Sequence, residues 1–340
     1  MSVTSWRFGN GHCRAEIQSL GGMLGPVQFR LGDRTVEPFA VAPWAEDATA
    51  EHAALPGILK RLRGEWPCVP FGMDEDRPDL PEAWRPAADA PRSSDRWPHG
   101  YGSNHAWHLV SRSENRVTIG INYPGEHEVA RLVRSVAARE DGAGLDFTLT
   151  IHARRPCRLP IGLHPTYMLP AGTGELELDL AEGARAWTFP LAVEPGRTRL
   201  VPDQQGADPR RLLAADGAVE SAATLPFAGE SEDLVLLTGL GGRIGLRYAR
   251  EAYRVSQSWD PAHFSCCLLW ISAQGRRFYP WSGRFRGLGV EPISGAFDLG
   301  PAIGASAGTP LARAGVSLGV DLSPDQPLTT RYSIAVSDLS

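Results

Sequence analysis

Apolar and polar residues alternate with a period of two along much of this chain, the pattern of strands half-buried against a core. Cys13, Ala15 and Ile17 follow it, as do Val27, Phe29 and Leu31, after which Gly32-Asp33 turns the chain towards Val36. Val117, Ile119 and Ile121 alternate, and Asp141-Gly142 predicts a hairpin leading into Leu145, Phe147, Leu149 and Ile151. Further strands are expected at Leu176/Leu178/Leu180, Leu234/Leu236, Ile244/Leu246/Tyr248 and Tyr332/Ile334/Val336, with a second hairpin at Gly241-Gly242. The apolar run Phe264 to Ile271, with its adjacent Cys266 and Cys267, reads as a buried strand. Helical pattern is scarce: Asp47 to Leu62 and Asp208 to Ala223 are the two candidates. Met73 to Pro98 lacks periodicity and is rich in Pro, Asp, Glu and Arg, so a long loop is expected. Many short strands between turn signals predict an all-β, antiparallel sandwich or barrel rather than a βαβ fold. There is no internal repeat and no interdomain linker, so residues 1–340 are expected to form a single domain.

Composition narrows the function classes. The chain has 34 Lys and Arg against 39 Asp and Glu, a net charge of −5. Neither a nucleic-acid nor an anionic membrane partner is expected at that balance. The only lysine is Lys60, so no Walker A phosphate loop exists and Schiff-base chemistry is confined to one position. The five cysteines, Cys13, Cys68, Cys157, Cys266 and Cys267, are odd in number and form no C-x-x-C, so neither a disulfide framework nor a zinc ribbon is expected. No signal peptide and no 18-residue apolar segment is evident, and a cytoplasmic location is expected.

Three segments join ionisable residues to turn residues. They are His99-Gly100 through Asn104, His105, Trp107 and His108; Gly162-Leu163-His164-Pro165; and Gly289-Val290-Glu291-Pro292 followed by Gly295. Proline after His164 and after Glu291 biases each residue to extended backbone, favouring a strand end that faces a cleft. A histidine in such a place equally serves as a hydrogen-bonded core residue, and a Glu before Pro as a solvated turn residue. His99, His105 and His108 do not share a strand face, so a metal cluster would need a bent loop, and no metal or cofactor is expected.

In this order, with Gly21-Gly22 near the start, the segments resemble the aldose 1-epimerase (galactose mutarotase) family from about Gly21 to Val336. The resemblance implies a large antiparallel β-sandwich of the galactose mutarotase type. It implies an isomerase that interconverts the anomers of a hexose or related sugar by opening and reclosing the ring. Glu291 is then the base, His164 the acid, and His99 a partner near the ring oxygen. Asp233, Asn104 and Arg63 become the candidate sugar-binding residues. The family's arginine before Asn104 is Ser103 here, which bears on sugar recognition more than on acid–base chemistry. Two alternatives stand beside this reading. One is a hexose-6-phosphate 1-epimerase, using the arginines Arg276, Arg277, Arg284 and Arg286. The other is a non-catalytic carbohydrate-binding protein of the same fold. The expected partner is a small sugar, and the expected assembly a monomer or homodimer.

The chemistry needs a base for the anomeric hydroxyl and an acid for the ring oxygen, and no redox step. Glu291, His164 and His99 are therefore expected in one open cleft, with carboxylate and imidazole about a sugar ring's width apart. Trp259, Trp270 and Trp281 are expected mainly as core residues, although an aromatic face also suits a pyranose.

Overall fold

The computed structural model describes residues 3–73, 75, 77–86 and 93–339. Two large antiparallel sheets pack face to face. The nine-stranded sheet runs from Thr224–Leu225 at one edge, through Arg243–Tyr248, Leu328–Asp338 and Gly144–Ala153, to His108–Arg112 at the other. The seven-stranded sheet runs from Arg185–Thr188 through Ser231–Thr238, Cys266–Ala273 and Arg286–Ile293 to Gly162–Leu163 and Pro67–Cys68, with Thr166–Met168 also paired to Arg286–Ile293. A four-stranded sheet, Ser5–Gly9 to Arg34–Val36, precedes both.

The strands of the nine-stranded sheet keep the predicted alternation because one face meets the core and the other does not. Val117, Ile119, Leu145, Phe147, Leu149, Ile334 and Val336 point inward and are buried. The central strands of the seven-stranded sheet are covered on both faces. Val235, Leu237, Leu269, Ile271, Leu288 and Val290 pack against the larger sheet. Leu234, Leu236, Leu268, Trp270 and Ile293 pack on the opposite face against Trp44, Trp66, Trp281 and Phe297. Double coverage explains why Phe264 to Ile271 reads as one continuous apolar run.

Two local expectations are corrected. Asp208 to Ala223 is a small hairpin of Leu212–Leu213 and Val219–Glu220, not a helix. The turn is set by Asp216, whose side chain accepts from the Ala218 N–H, and by Gly217 at φ 86°. Gly241-Gly242 does not close a hairpin either: the strand before it, Ser231–Thr238, lies in the seven-stranded sheet, and the strand after it, Arg243–Tyr248, lies in the nine-stranded sheet. Positive φ at both glycines carries the chain between layers. Asp47 to Leu62 holds two short helices, Ala50–Ala54 and Gly57–Lys60. Of the loop predicted at Met73 to Pro98, residues 74, 76 and 87–92 lie outside the described residues; the rest is irregular apart from the 3-10 turn Glu82–Trp84.

A buried ion pair sits between the layers. Arg134 and Glu65, both with fully buried side chains, are in contact, and Arg134 also donates to the Gly22 carbonyl. The Tyr332 hydroxyl donates to the second Glu65 oxygen at 2.7 Å. Glu65 immediately precedes Trp66, which forms part of the site described next.

Candidate active site

Period-two alternation places the chemistry. On Arg286–Ile293, Leu288 and Val290 face the larger sheet, so Glu291 faces the other side. Register sets Glu291 opposite Leu268 and Gly289 opposite Trp270 on the neighbouring strand. Gly289 is required by its surroundings: a Cβ there would stand 2.2 Å from Glu291 Oε1 and 3.0 Å from the Trp270 Cβ.

His164 follows Gly162–Leu163 at the edge of the same face. Its backbone N–H donates to the Trp66 carbonyl at 2.9 Å, and its ring stacks on the Trp66 indole at 4.0 Å and 16°. Nδ1 lies 3.1 Å from the Thr166 hydroxyl, and Nε2 lies 3.4 Å from Glu291 Oε1. The carboxylate and the imidazole thus touch, and the expected separation of a sugar ring's width is corrected. Side by side they still suit the anomeric centre, because the hydroxyl oxygen and the ring oxygen are bonded to the same carbon.

His99 enters from the loop before Tyr101–Asn104. Its backbone is in the left-handed region at φ 55°, and its N–H donates to the Gly72 carbonyl at 2.8 Å. The ring meets His164 edge-on at 5.3 Å and Phe71 at 4.8 Å. Its Nδ1 is buried with no hydrogen-bond partner among the described residues.

These groups line one cavity of about 440 Å³. Its polar wall comprises His99, His164, Glu291, Asp298, Arg276 and Glu75. Its apolar wall comprises Ile58, Leu59, Leu62, Leu234, Leu268 and the rings of Trp66, Trp270, Trp281 and Phe278. Trp259 is a core residue as expected, its indole N–H given to the Phe264 carbonyl, whereas Trp270 and Trp281 face the cavity. Among the described residues, no group of three or more His, Cys, Asp and Glu is placed to hold a metal ion.

Electrostatics follow from burial. Desolvation, with the nearby Asp298 carboxylate, pushes the Glu291 carboxyl well above its ordinary range. Desolvation, with His99 nearby, pushes His164 well below the ordinary imidazole range. Burial alone lowers His99 to about 4. Each shift favours the neutral form of its group.

The three residues expected to bind sugar lie elsewhere. Asp233 shares the phase of Val235 and Leu237 and faces away from the cavity, accepting from the Arg199 and Leu200 N–H groups at 3.0 and 2.9 Å. Its neighbour Glu232 takes the site face, accepting from Trp270 Nε1 at 2.7 Å, Ser272 Oγ at 2.9 Å and Arg276 Nε at 3.0 Å. Asn104 donates to the Pro98 and Gly100 carbonyls, which flank His99, and accepts from the Ile58 N–H. Both amide protons and one lone pair of the amide oxygen are engaged in holding this segment. Arg63 is buried beside Gly25 and donates to the Arg61 carbonyl, outside the cavity. Ser103, in the place of the family's arginine, donates to the His99 carbonyl at 2.7 Å. The residues that sequence reasoning missed are Trp66, Glu232 and Asp298. Only Glu232 left a trace, as the strand neighbour in phase with Leu234.

No protein-family model matches the chain, and no curated protein matches it in sequence. Solved structures do match in shape. A proposed aldose 1-epimerase from Escherichia coli K12 superposes at a TM-score of 0.65 with 16% identity, covering 99% of this chain and 100% of that one. An aldose epimerase homologue from C. elegans gives 0.63 with 10% identity over 100% of both chains. A galactose mutarotase-like protein from Lactobacillus casei gives 0.61 with 14% identity, over 98% of this chain and 100% of that one. At such identities the likeness is one of architecture, and in architecture this chain has the galactose mutarotase-like fold.

Proposed function

We propose that the protein is an aldose 1-epimerase acting on an uncharged sugar. The observation that carries this reading is the contact of Glu291 Oε1 and His164 Nε2 at 3.4 Å in the wall of a cavity of about 440 Å³. In the reactive state of this reading the pair carries one proton. With the proton on His164, Glu291 takes the proton of the anomeric hydroxyl while His164 gives its own to the ring oxygen. The C1–ring oxygen bond breaks and the anomeric C–O becomes a carbonyl. The carboxyl now holds the proton and the imidazole is neutral. Rotation about C1–C2 and the same transfers in reverse close the ring on the other face, so protons balance over the cycle. Burial favours the neutral pair, so moving the proton from Glu291 to His164 costs free energy before opening, and that cost is recovered when opening returns the pair to its neutral form. The indole of Trp66 holds the imidazole plane, and the aromatic wall offers a surface to the C–H face of a pyranose.

The phosphorylated-sugar alternative is the weaker one. Of the four arginines that motivated it, only Arg276 lines the cavity. Arg277 pairs with Glu230, Arg284 with Asp47, and Arg286 donates to Gln274 and the Pro170 carbonyl. Arg276 itself is engaged by Glu232 and lies over the Trp281 ring at 4.8 Å. The acidic residues Glu75 and Asp298 share the cavity with it and oppose a dianion. Exchange NMR of a panel of hexoses and pentoses, each with and without a 6- or 5-phosphate where one exists, tests the reading. Faster anomer exchange of an unphosphorylated sugar is expected. Binding without any acceleration would leave the protein a carbohydrate-binding module.

A further inference from the structure

Glu291 and His164 account for the two oxygens on the anomeric carbon. The remaining hydroxyls of a sugar in this cavity also need partners, since a buried hydroxyl left unpaired is costly. Asp233, Asn104 and Arg63 cannot supply them. Glu232 is already taken up by Trp270, Ser272 and Arg276.

Asp298 differs from these. It lies in the irregular segment after Arg286–Ile293, lines the cavity and is only partly covered by protein. Among the described residues, no other residue donates a hydrogen bond to its carboxylate and none forms an ion pair with it; its own backbone N–H acts on the carboxyl. Its place is held from behind. The Asp298 carbonyl accepts from the Met73 N–H at 2.7 Å, and the adjacent Gly72 carbonyl accepts from the His99 N–H at 2.8 Å. Gly72, at φ 101°, permits this: a Cβ there would stand 2.9 Å from the Asp298 carbonyl oxygen and 2.6 Å from the Gly300 nitrogen. One two-residue bridge therefore ties Asp298 and His99 to each other while leaving both side chains to the cavity. A carboxylate that is anchored through its backbone and, among the described residues, has no side-chain partner is suited to a ligand that brings donors.

We propose that Asp298 is a specificity-determining residue whose carboxylate accepts a hydrogen bond from a sugar hydroxyl away from the anomeric carbon. The assignment rests on the sugar-binding reading of this cavity. It selects for neutral, hydroxyl-rich ligands and against ligands that place an anion at this position. Charged groups of both signs surround Asp298. Burial raises its carboxyl, Arg276 and Arg77 oppose that rise, and Glu75 adds to it, while Glu291 lies close enough to feel its charge.

The test is a cycle between protein and ligand. Anomer exchange and dissociation constants are measured by NMR for a turned-over hexose and its 2-, 3-, 4- and 6-deoxy analogues. Wild type, Asp298→Asn and Asp298→Ala are compared, with thermal unfolding as the control for folding. In wild type, loss of one particular hydroxyl should weaken binding and kcat/KM by about 10- to 100-fold, the size of a hydrogen bond to a charged group. Asp298→Ala should lose that much on the intact hexose and little more on the one critical deoxy sugar. Asp298→Asn, which keeps an acceptor oxygen but no charge, should fall between. Equal losses on every sugar, or wild-type behaviour in a folded Asp298→Ala protein, would overturn the assignment. If no sugar is turned over yet the binding cycle holds, Asp298 keeps its role and the epimerase reading fails. If no sugar binds at all, both fail.

Discussion

Trp66 stacks its indole on the His164 imidazole at 4.0 Å, and the Trp66 carbonyl accepts the His164 backbone N–H, so a single residue holds the histidine by both ring and main chain. Trp66 follows Glu65, which is locked to Arg134 between the sheets. The position of the imidazole against Glu291 is thus continuous with the most deeply buried ion pair described in the fold.

That continuity makes Arg134 a stability determinant. Arg134→Met strands the Glu65 carboxylate in a site where burial already raises its pKa. Urea unfolding should show a loss of about 3–5 kcal/mol. Adding Glu65→Leu should recover part of it, because a removed pair costs less than a broken one. A single-variant loss below about 1 kcal/mol would mean that the pair is dispensable.

Gly289→Ala should damage activity more than folding. Its Cβ would sit 2.2 Å from Glu291 Oε1, so the carboxylate must swing away from His164. Misplacing a catalytic group by about 1 Å can cost roughly 100-fold in rate. The expected outcome is a fall in kcat of that order, read by anomer exchange, in a protein whose denaturation midpoint moves far less than that of Arg134→Met.

Asn104→Ala removes the amide that binds the carbonyls on both sides of His99. Those carbonyls and the Ile58 N–H lose their partner, at about 1–3 kcal/mol for a buried group. Hydrogen exchange should accelerate across Trp97 to His105 before the sheets are affected. Unchanged protection there would show that the loop is held by other contacts.

Acid should destabilise the protein through the site histidines. Burial lowers His99 to about 4 and drives His164 down as well. Between the ordinary imidazole pKa of about 6.5 and that lower value, the unfolded chain takes up protons that the native state refuses. Stability attributable to His99 is therefore whole at pH 7 and is lost as pH falls from about 6.5 towards 4, by about 3 kcal/mol if the site stays dry. His99→Gln should flatten this part of the stability–pH curve, measured by urea titration at several pH values. A curve of wild-type slope would place His99 in contact with water.

How much of this was legible in the sequence depended on how many faces of a strand are buried. Cys13/Ala15/Ile17 and Leu145 to Ile151 show their phase because one face is open. Ser231–Thr238 is buried on both faces, so its phase is hidden, and Asp233 could not be told from Glu232 without the sheet on which they lie. Leu212 and Val219 lie too close together for periodicity to separate a helix from a two-residue hairpin. Glu291, His164 and His99 were found through short motifs beside Pro and Gly. Trp66 before Pro67 and Asp298 before Gly300-Pro301 stand beside the same residue types, but their places in the site come from contacts with residues far away in the chain.

The most direct test is anomer exchange by Glu291→Gln, measured by NMR on a sugar that the wild type equilibrates. The amide keeps the shape of the side chain but neither takes nor gives a proton at neutral pH. Exchange should fall by roughly 100- to 10,000-fold, the usual worth of a positioned acid–base group. Sugar binding should be retained, and adding His164→Asn should cost little more, since residues acting as a unit are not additive. Exchange within a few-fold of wild type in a stably folded Glu291→Gln protein would contradict the account.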